Sequence, residues 1–199
     1  MSRRRAAAAA FVRFLALVGI YLVAAVPFRT MSLITGFTDV RPVTAIAPVY
    51  AVFFGPLGCL AVAFGNLGAD AVSDSLRWTS IAGFAANFLG PLLVWYYWTR
   101  LSRTPFALRT VGGLFRHSLA VAAMALLEMV IIAPAVALVY PDVDAAYFAL
   151  TVFLNTTAFP VFFGIPLAIL LQEELGFVPL PPRRATAGGE RAERGEEGE

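Results

Sequence analysis

The chain has 199 residues, of which 59% are hydrophobic and 14% are charged, and its mean hydropathy is +0.76. Soluble domains are about 45–50% apolar by a similar count, and several runs here reach the roughly 20 residues that cross a bilayer. The composition therefore excludes an ordinary soluble domain and predicts an all-α membrane protein of the cell membrane, embedded in the lipid bilayer. The net charge of +2 says little because the charges are segregated along the chain, and we predict no nucleic-acid partner.

The N-terminal sequence MSRRRAAAAAFVRFLALVGIYLVAAVPF predicts a first membrane helix over about residues 8–28 with a cytoplasmic N-terminus. Arginines before an apolar run are typical of signal peptides, but this run is longer than the roughly 7–15 residues of a signal-peptide core. Arg13 also interrupts its start, so we expect the helix to be retained. Small residues spaced like Ala6 and Ala10 let membrane helices approach closely, which would suit docking to another membrane subunit.

The next segment, residues 39–74, combines an apolar composition with three prolines and a Gly-Pro-Leu-Gly sequence at 55–58. It also carries polar side chains at Asn66, Asp70 and Asp74. Irregular backbone at membrane depth occurs only where it is buried in protein or lines a cavity. In transporters, short or Gly/Pro-interrupted segments point to the working part of the molecule.

The charges of later loops predict that this segment crosses the membrane twice. The loop 99–117 carries four arginines, and short basic loops stay in the cytoplasm. The loop 140–147 has two aspartates and no arginine, which suits the outside. Both loops fall on their preferred sides only if 42–54 and 57–73 are two short helices joined at a Gly-Pro turn.

Three further helices are expected over about residues 80–98, 118–140 and 147–173. The predicted fold is therefore six transmembrane helices, including the short second and third helices joined at the Gly-Pro turn, with both termini cytoplasmic. One transmembrane domain covers residues 1–176. The Pro-, Gly- and charge-rich residues 177–199 are expected to form a disordered cytoplasmic tail.

Polar residues within apolar helices are the candidates for ligand contacts. Glu128 lies in the middle of a predicted helix, where an isolated acid is costly unless it is paired, protonated or facing a cavity. Asn66, Asp70 and Asp74 recur every four residues and so share one helix face. These groups converge on the outer half of the bundle, as a site for a polar small molecule would. The predicted substrate-binding residues are Asp39, Arg41, Asn66, Asp70, Asp74, Asn87, Glu128 and Asn155.

A structural explanation stands beside each of these residues. Glu128 alone is explained equally well by a hydrogen bond to a neighbouring helix, and Asp39 and Asp74 by roles as loop charges or helix caps. The convergence of the whole set carries more weight than any one residue.

Catalytic and metal-binding motifs are not found in the sequence. His117 is the only histidine and is expected in an interfacial loop, and no Cys/His cluster has metal spacing. The sequence GPLGCL lacks the lysine of a P-loop. We therefore expect no enzyme and no cofactor, and an ATPase that drives transport would have to be another chain.

The sequences VRPVTAIAPVYAVFFGPLGCLAVAFGNLGAD and GFAANFLGPLLVWYYW resemble the substrate-binding S components of energy-coupling factor (ECF) transporters, of the vitamin and queuosine-precursor type. The resemblance covers about residues 35–98. It implies uptake of a small polar micronutrient, with a transmembrane coupling subunit and two ATPase subunits as partners. It also implies docking to the coupling subunit through small residues, which correspond here to Ala6, Ala10 and Ala16. The ligand would be held by the loop between helices 1 and 2 and by the outer parts of helices 4, 5 and 6.

Three other classes of protein are alternatives. The segment GFAANFLG also resembles the region of a buried asparagine in small fluoride channels, although those are four-helix dimers with fewer spans per chain than predicted here. A membrane sensor or scaffold would normally carry a cytoplasmic signalling domain, and this tail is short. An intramembrane enzyme is least favoured because only Glu128 lies at a depth where it could act.

Overall fold

A computed structural model describes residues 3–28, 32–34, 38–39 and 41–182, which form a bundle of helices. The helices are α1 (Arg3–Ala25), α2 (Ile46–Val72), α3 (Thr79–Tyr96), α4 (Val111–Val139), α5 (Ala145–Phe159) and α6 (Ile165–Glu173). Shorter helical turns are 3₁₀ at Val26–Phe28 and Pro42–Ala45, and π at Tyr97–Leu101 and Pro160–Gly164. Two very short antiparallel strands, β1 (Ser32–Ile34) and β2 (Thr38–Asp39), lie between α1 and α2.

Four stretches of the described chain are long and apolar enough to cross a membrane: Arg3–Phe28, Pro42–Val72, Val111–Val139 and Ala145–Glu173. The prediction of an all-α fold is confirmed apart from the two very short strands, and the four stretches are compatible with a multi-pass membrane protein. Six separate membrane spans are not confirmed, for two reasons. Residues 42–72 form one helical stretch that is interrupted, and α3, with 18 residues, is short and carries Asn87 and Pro91 within its apolar sequence.

The interruption in α2 is a reversal of the chain at Gly55. Its backbone angles, φ 60° and ψ −144°, are not helical. Ala47, before the break, shares a buried core with Val62, after it. Thr44 and Asp70, which flank the two halves at their far ends, line the same cavity. The two halves of α2 therefore lie side by side, with Gly55 at one end of the bundle, the turn end, and the cavity at the other, the cavity end.

Side-chain caps explain where two of the later helices begin. The Thr110 hydroxyl accepts a hydrogen bond of 3.0 Å from the Gly113 N–H at the start of α4. The Asp144 carboxylate accepts bonds of 2.9 and 3.0 Å from the N–H groups of Ala146 and Tyr147 at the start of α5. Such caps satisfy backbone donors that have no partner within the helix.

The cap at the start of α4 corrects the predicted position of His117. Because α4 begins at Val111, His117 lies within the helix and is 1% exposed, not in an interfacial loop. The indole N–H of Trp98 donates to its Nδ1 atom at 3.3 Å. The Phe106 ring packs edge-on against both rings. This aromatic cluster fills the turn end, so His117 is a packing residue there.

The described C-terminal residues also pack at the turn end. The N–H of Leu180 donates to the carbonyl of Val52 at 3.0 Å, and the Phe177 ring packs edge-on against two phenylalanine rings just before the chain reversal. Phe177 and Leu180 thus contact the bundle, whereas Val178 between them is exposed, and the disordered tail over 177–199 stays a prediction. Residues 183–199 lie outside the described residues.

Helix α1 packs mainly against α2 and leaves most of its surface uncovered. Only 17% of its most apolar window is buried, compared with 72% for the stretch that contains α2. Ala6, Ala10 and Ala16 all lie on the exposed surface. Docking of a partner at these residues stays a prediction.

Candidate ligand-binding cavity

A cavity of about 310 Å³ lies at the cavity end of the bundle. This volume is at the lower limit of the roughly 300–1,000 Å³ that is typical of small-molecule sites. Its lining comes from α1, the residues that precede α2, both α2 and α3 with their connecting loop, α4 and α5. Almost every major element of the described bundle therefore contributes to one cavity, which is partly open.

The structure brings together the residues that were predicted to bind substrate, with Asp39 as the exception. The residues that line the cavity are Arg41, Asn66, Asp70, Asp74, Asn87, Glu128 and Asn155. Asp39 lies in β2, but its side chain is outside the part of the chain that the structure describes. Because Asn66 and Asp70 are one helical turn apart, both reach the cavity from the second half of α2. That any of these residues contacts a ligand stays a prediction.

The cavity has a polar wall and an apolar wall. The polar wall comes from α2, α3 and the loop between them, which contribute amide, carboxylate and hydroxyl groups. The apolar wall is formed by Ile132 and Val136 of α4 and by Phe148 and Val152 of α5, and the same two helices also contribute the polar residues Glu128, Asn155 and Thr156. A site of this kind fixes a ligand's orientation with a few polar groups while apolar side chains cover the rest of its surface.

Glu128 lies where the two walls meet. Its side chain is 4% exposed, and the Thr156 hydroxyl donates a long hydrogen bond of 3.4 Å to Oε2. A Cβ atom at Gly90 would lie within 2.8 Å of Glu128 Cγ, so only glycine leaves the carboxylate its space against α3. Arg41 lines the same cavity as Glu128. Glu128 thus faces the interior of the bundle, as its cost in a lipid environment requires.

Arg41 is held at the cavity by contacts between the start of the α2 stretch and α5. The Thr44 hydroxyl lies 2.8 Å from the carbonyl oxygen of Arg41 and 3.2 Å from that of Asn155. The N–H of Arg41 also donates to Oδ1 of Asn155 at 3.5 Å. Thr44 and Asn155 therefore fix the backbone that carries the guanidinium group.

Asp74 has a backbone role as well as a place on the cavity wall. It is a non-glycine residue with a positive φ of 50°, and the following N–H, of Ser75, donates to the carbonyl of Asp70 at 2.9 Å. Aspartate tolerates this left-handed conformation better than most residues. The geometry supports the structural explanation for Asp74, a helix-ending residue at the exposed edge of the cavity.

Sequence reasoning missed Tyr21, Thr44 and Ser80, which also line the cavity. Tyr21 is 1% exposed and packs so closely on Gly65 that a Cβ there would lie 2.6 Å from its ring. The glycines Gly65 and Gly68, one turn apart on α2, were the available signal for Tyr21, because Tyr21 and Leu22 of α1 pack against them.

Within the described residues, no group of three or more His, Cys, Asp or Glu side chains is arranged to hold a metal ion. The chain was also compared with known proteins. No protein-family model, curated protein or solved structure matches it. The resemblance to S components of ECF transporters accordingly rests on the sequence patterns alone.

Proposed function

We propose that this chain is a substrate-capture subunit, similar to the S components of ECF transporters, that binds a small polar micronutrient from outside the cell. The observation that carries the proposal is the convergence of buried polar side chains on one cavity in an otherwise apolar bundle. Polar and ionisable side chains are expensive at membrane depth and mark functional sites by default. Asn66, Asp70, Asn87, Glu128 and Asn155 are all at least nine-tenths buried and all line the cavity.

We propose further that the bundle crosses the membrane six times with both termini in the cytoplasm and with the cavity facing outward. The chain reversal at Gly55 supports two crossings within α2. The Arg-rich segment between α3 and α4 lies at the turn end, where Arg109 pairs with Glu173 at the end of α6. Because short basic loops remain in the cytoplasm, the turn end is the cytoplasmic end.

Single-cysteine labelling tests this orientation. The native Cys59 is buried and would first be replaced by alanine. Leu76, in the exposed loop between α2 and α3, and Arg103, in the Arg-rich loop, would then each be changed to cysteine in separate proteins. A membrane-impermeant maleimide is expected to label Leu76→Cys on intact cells, and Arg103→Cys only after permeabilisation. The reverse pattern would contradict the outward-facing cavity.

Ligand capture is tested by the thermal stability of the purified protein in detergent with B vitamins, deazapurines and nucleobases. A ligand at about 100 times its Kd adds about 2.7 kcal/mol of stability, and for a chain of this size each kcal/mol raises Tm by about 2–4 °C. We therefore expect one compound class to raise Tm by about 5 °C or more. Asp70→Asn should weaken this shift, and Asp142→Asn, which removes an exposed carboxylate outside the cavity, should not. If no micronutrient stabilises the protein, capture is ruled out.

The requirement for partner subunits separates capture from a passive channel. Because the sequence has no nucleotide-binding motif, the chain alone in proteoliposomes is expected to bind the identified ligand without accumulating it. Co-reconstitution with a coupling subunit and two ATPase subunits is expected to give ATP-dependent accumulation. Rapid flux through the chain alone would instead favour a channel.

A further inference from the structure

Glu128 presents an unused hydrogen-bond acceptor to the cavity. Oε2 accepts from the Thr156 hydroxyl, but within the described part of the chain Oε1 accepts no hydrogen bond. Oε1 is also not fully enclosed by protein, so it can be reached from the cavity. A side chain that is 4% exposed therefore keeps one carboxylate oxygen open to the cavity that it lines.

The charges on the described lining favour a ligand that brings hydrogen-bond donors. Three carboxylates, those of Asp70, Asp74 and Glu128, and two guanidinium groups, those of Arg41 and Arg77, line the cavity, and of the carboxylates only those of Asp70 and Glu128 are buried. Buried charges are tolerated only when they are paired and hydrogen-bonded. A ligand with a carboxylate or phosphate edge would add negative charge beside Glu128, whereas a ligand with N–H donors would supply the missing partner.

The apolar wall defines the other side of the ligand. Ile132 follows Glu128 by one helical turn on α4 and shares its face. Val136 continues the same face, and Phe148 and Val152 extend the wall on α5. The Oε1 atom lies against Gly90 of α3, and the apolar residues on α4 and α5 line the same cavity, so the cavity offers an apolar surface to the rest of the ligand.

We propose that the ligand has an apolar body and a polar edge of N–H donors, such as an amidine or a protonated amine, that pairs with the Glu128 carboxylate. This inference rests on the proposed capture function and specifies the chemistry of the captured molecule. Hydrogen bonds between a charged donor and a carboxylate are about twice as strong as neutral ones, so this contact discriminates among ligands of equal shape.

Three aromatic probes of nearly equal size test the inference: benzamidine, benzamide and benzoate. Each has the same flat ring, and only the polar edge differs, from a cationic donor through a neutral amide to an anionic acceptor. Equilibrium binding to the full-length purified protein would be measured by calorimetry, with Tm as a second readout. We expect benzamidine to bind at least about tenfold more tightly than benzamide, and benzoate to bind more weakly than both.

The variant Glu128→Gln keeps the shape of the side chain and removes its charge. It is expected to reduce the benzamidine-to-benzamide preference by about tenfold while benzamide binding changes by less than about threefold. The matched control Glu174→Gln removes an exposed carboxylate at the turn end and should leave all three affinities unchanged. Preferential binding of benzoate, an unchanged preference in Glu128→Gln, or no binding of any probe would overturn the inference.

These outcomes are distinguishable from failure of the proposed function. If a micronutrient binds with an Asp70-dependent Tm shift while benzamidine does not bind, capture stands and the donor-edge inference falls. If benzamidine binds through Glu128 and no micronutrient does, the chemistry of the cavity stands and the capture proposal falls.

Discussion

Replacing Gly55 by alanine is expected to lower the Tm of the purified protein by about 5–10 °C. At φ 60° and ψ −144° the backbone is in a region that residues with a Cβ atom rarely adopt, and such strain costs about 1–3 kcal/mol. The added Cβ would also lie 2.9 Å from Leu180 Cδ1 and 3.2 Å from Trp95 Nε1. Both effects act on the chain reversal that places the two halves of α2 side by side. The measurement is thermal unfolding followed by tryptophan fluorescence.

Gly19→Ala is the matched control for this change. Gly19 lies in α1, and a Cβ there has no other atom within 4 Å. Alanine is about 1 kcal/mol more favourable than glycine inside a helix, so the control is expected to leave Tm unchanged or to raise it slightly. Equal Tm values for the two variants would show that the reversal at Gly55 does not need glycine.

The chain reversal could be predicted because two independent sequence signals agree on it. The Gly-Pro sequence breaks a helix locally, and the arginines between α3 and α4 require an even number of crossings before them if that loop is cytoplasmic. Neither signal depends on tertiary contacts. The sequence alone also predicted that Asn66 and Asp70 point in the same direction, since residues four apart share a helix face.

The features that the sequence did not predict depend on contacts between distant residues. Leu180 bonds to the backbone of Val52, and no local pattern in a Pro-rich stretch identifies that partner. His117 was expected at an interface because it follows Arg116, but its burial is set by Trp98 and Phe106. Local charge gives the preferred side of a loop, and packing decides which residues of that loop enter a helix.

The candidate site was predicted only in its polar half. A polar residue in an apolar helix is conspicuous, whereas Ile132 or Phe148 is indistinguishable from a lipid-facing or core residue by type alone. The apolar wall could be assigned only when the structure showed that α4 and α5 turn these side chains toward the cavity. The role of Gly90 is similar, because a glycine that makes room for a carboxylate on another helix leaves no local signal.

Gly90→Ala is expected to weaken ligand binding by about 10–100-fold, a loss of about 1.4–2.8 kcal/mol. The new Cβ would lie 2.8 Å from Cγ and 3.0 Å from Cδ of Glu128, so the carboxylate must move away from α3. That movement changes the direction of Oε1 and the long bond to Thr156, both of which depend on the present position of the side chain. The affinity would be measured by calorimetry with the micronutrient found in the screen, or with benzamidine.

Gly83→Ala, two helical turns earlier on α3, separates this effect from a general effect of alanine at the cavity. A Cβ at Gly83 would be 3.9 Å from Nδ2 of Asn66, an ordinary contact, so the affinity should change by less than about threefold, which corresponds to less than 1 kcal/mol. Adding Glu128→Asp to Gly90→Ala shortens the displaced side chain and relieves the collision, and we expect it to recover part of the lost affinity. If Gly90→Ala binds as tightly as Gly83→Ala, the position of Glu128 against α3 does not control the site. If the double variant binds no better than Gly90→Ala alone, the loss does not arise from the collision with Glu128.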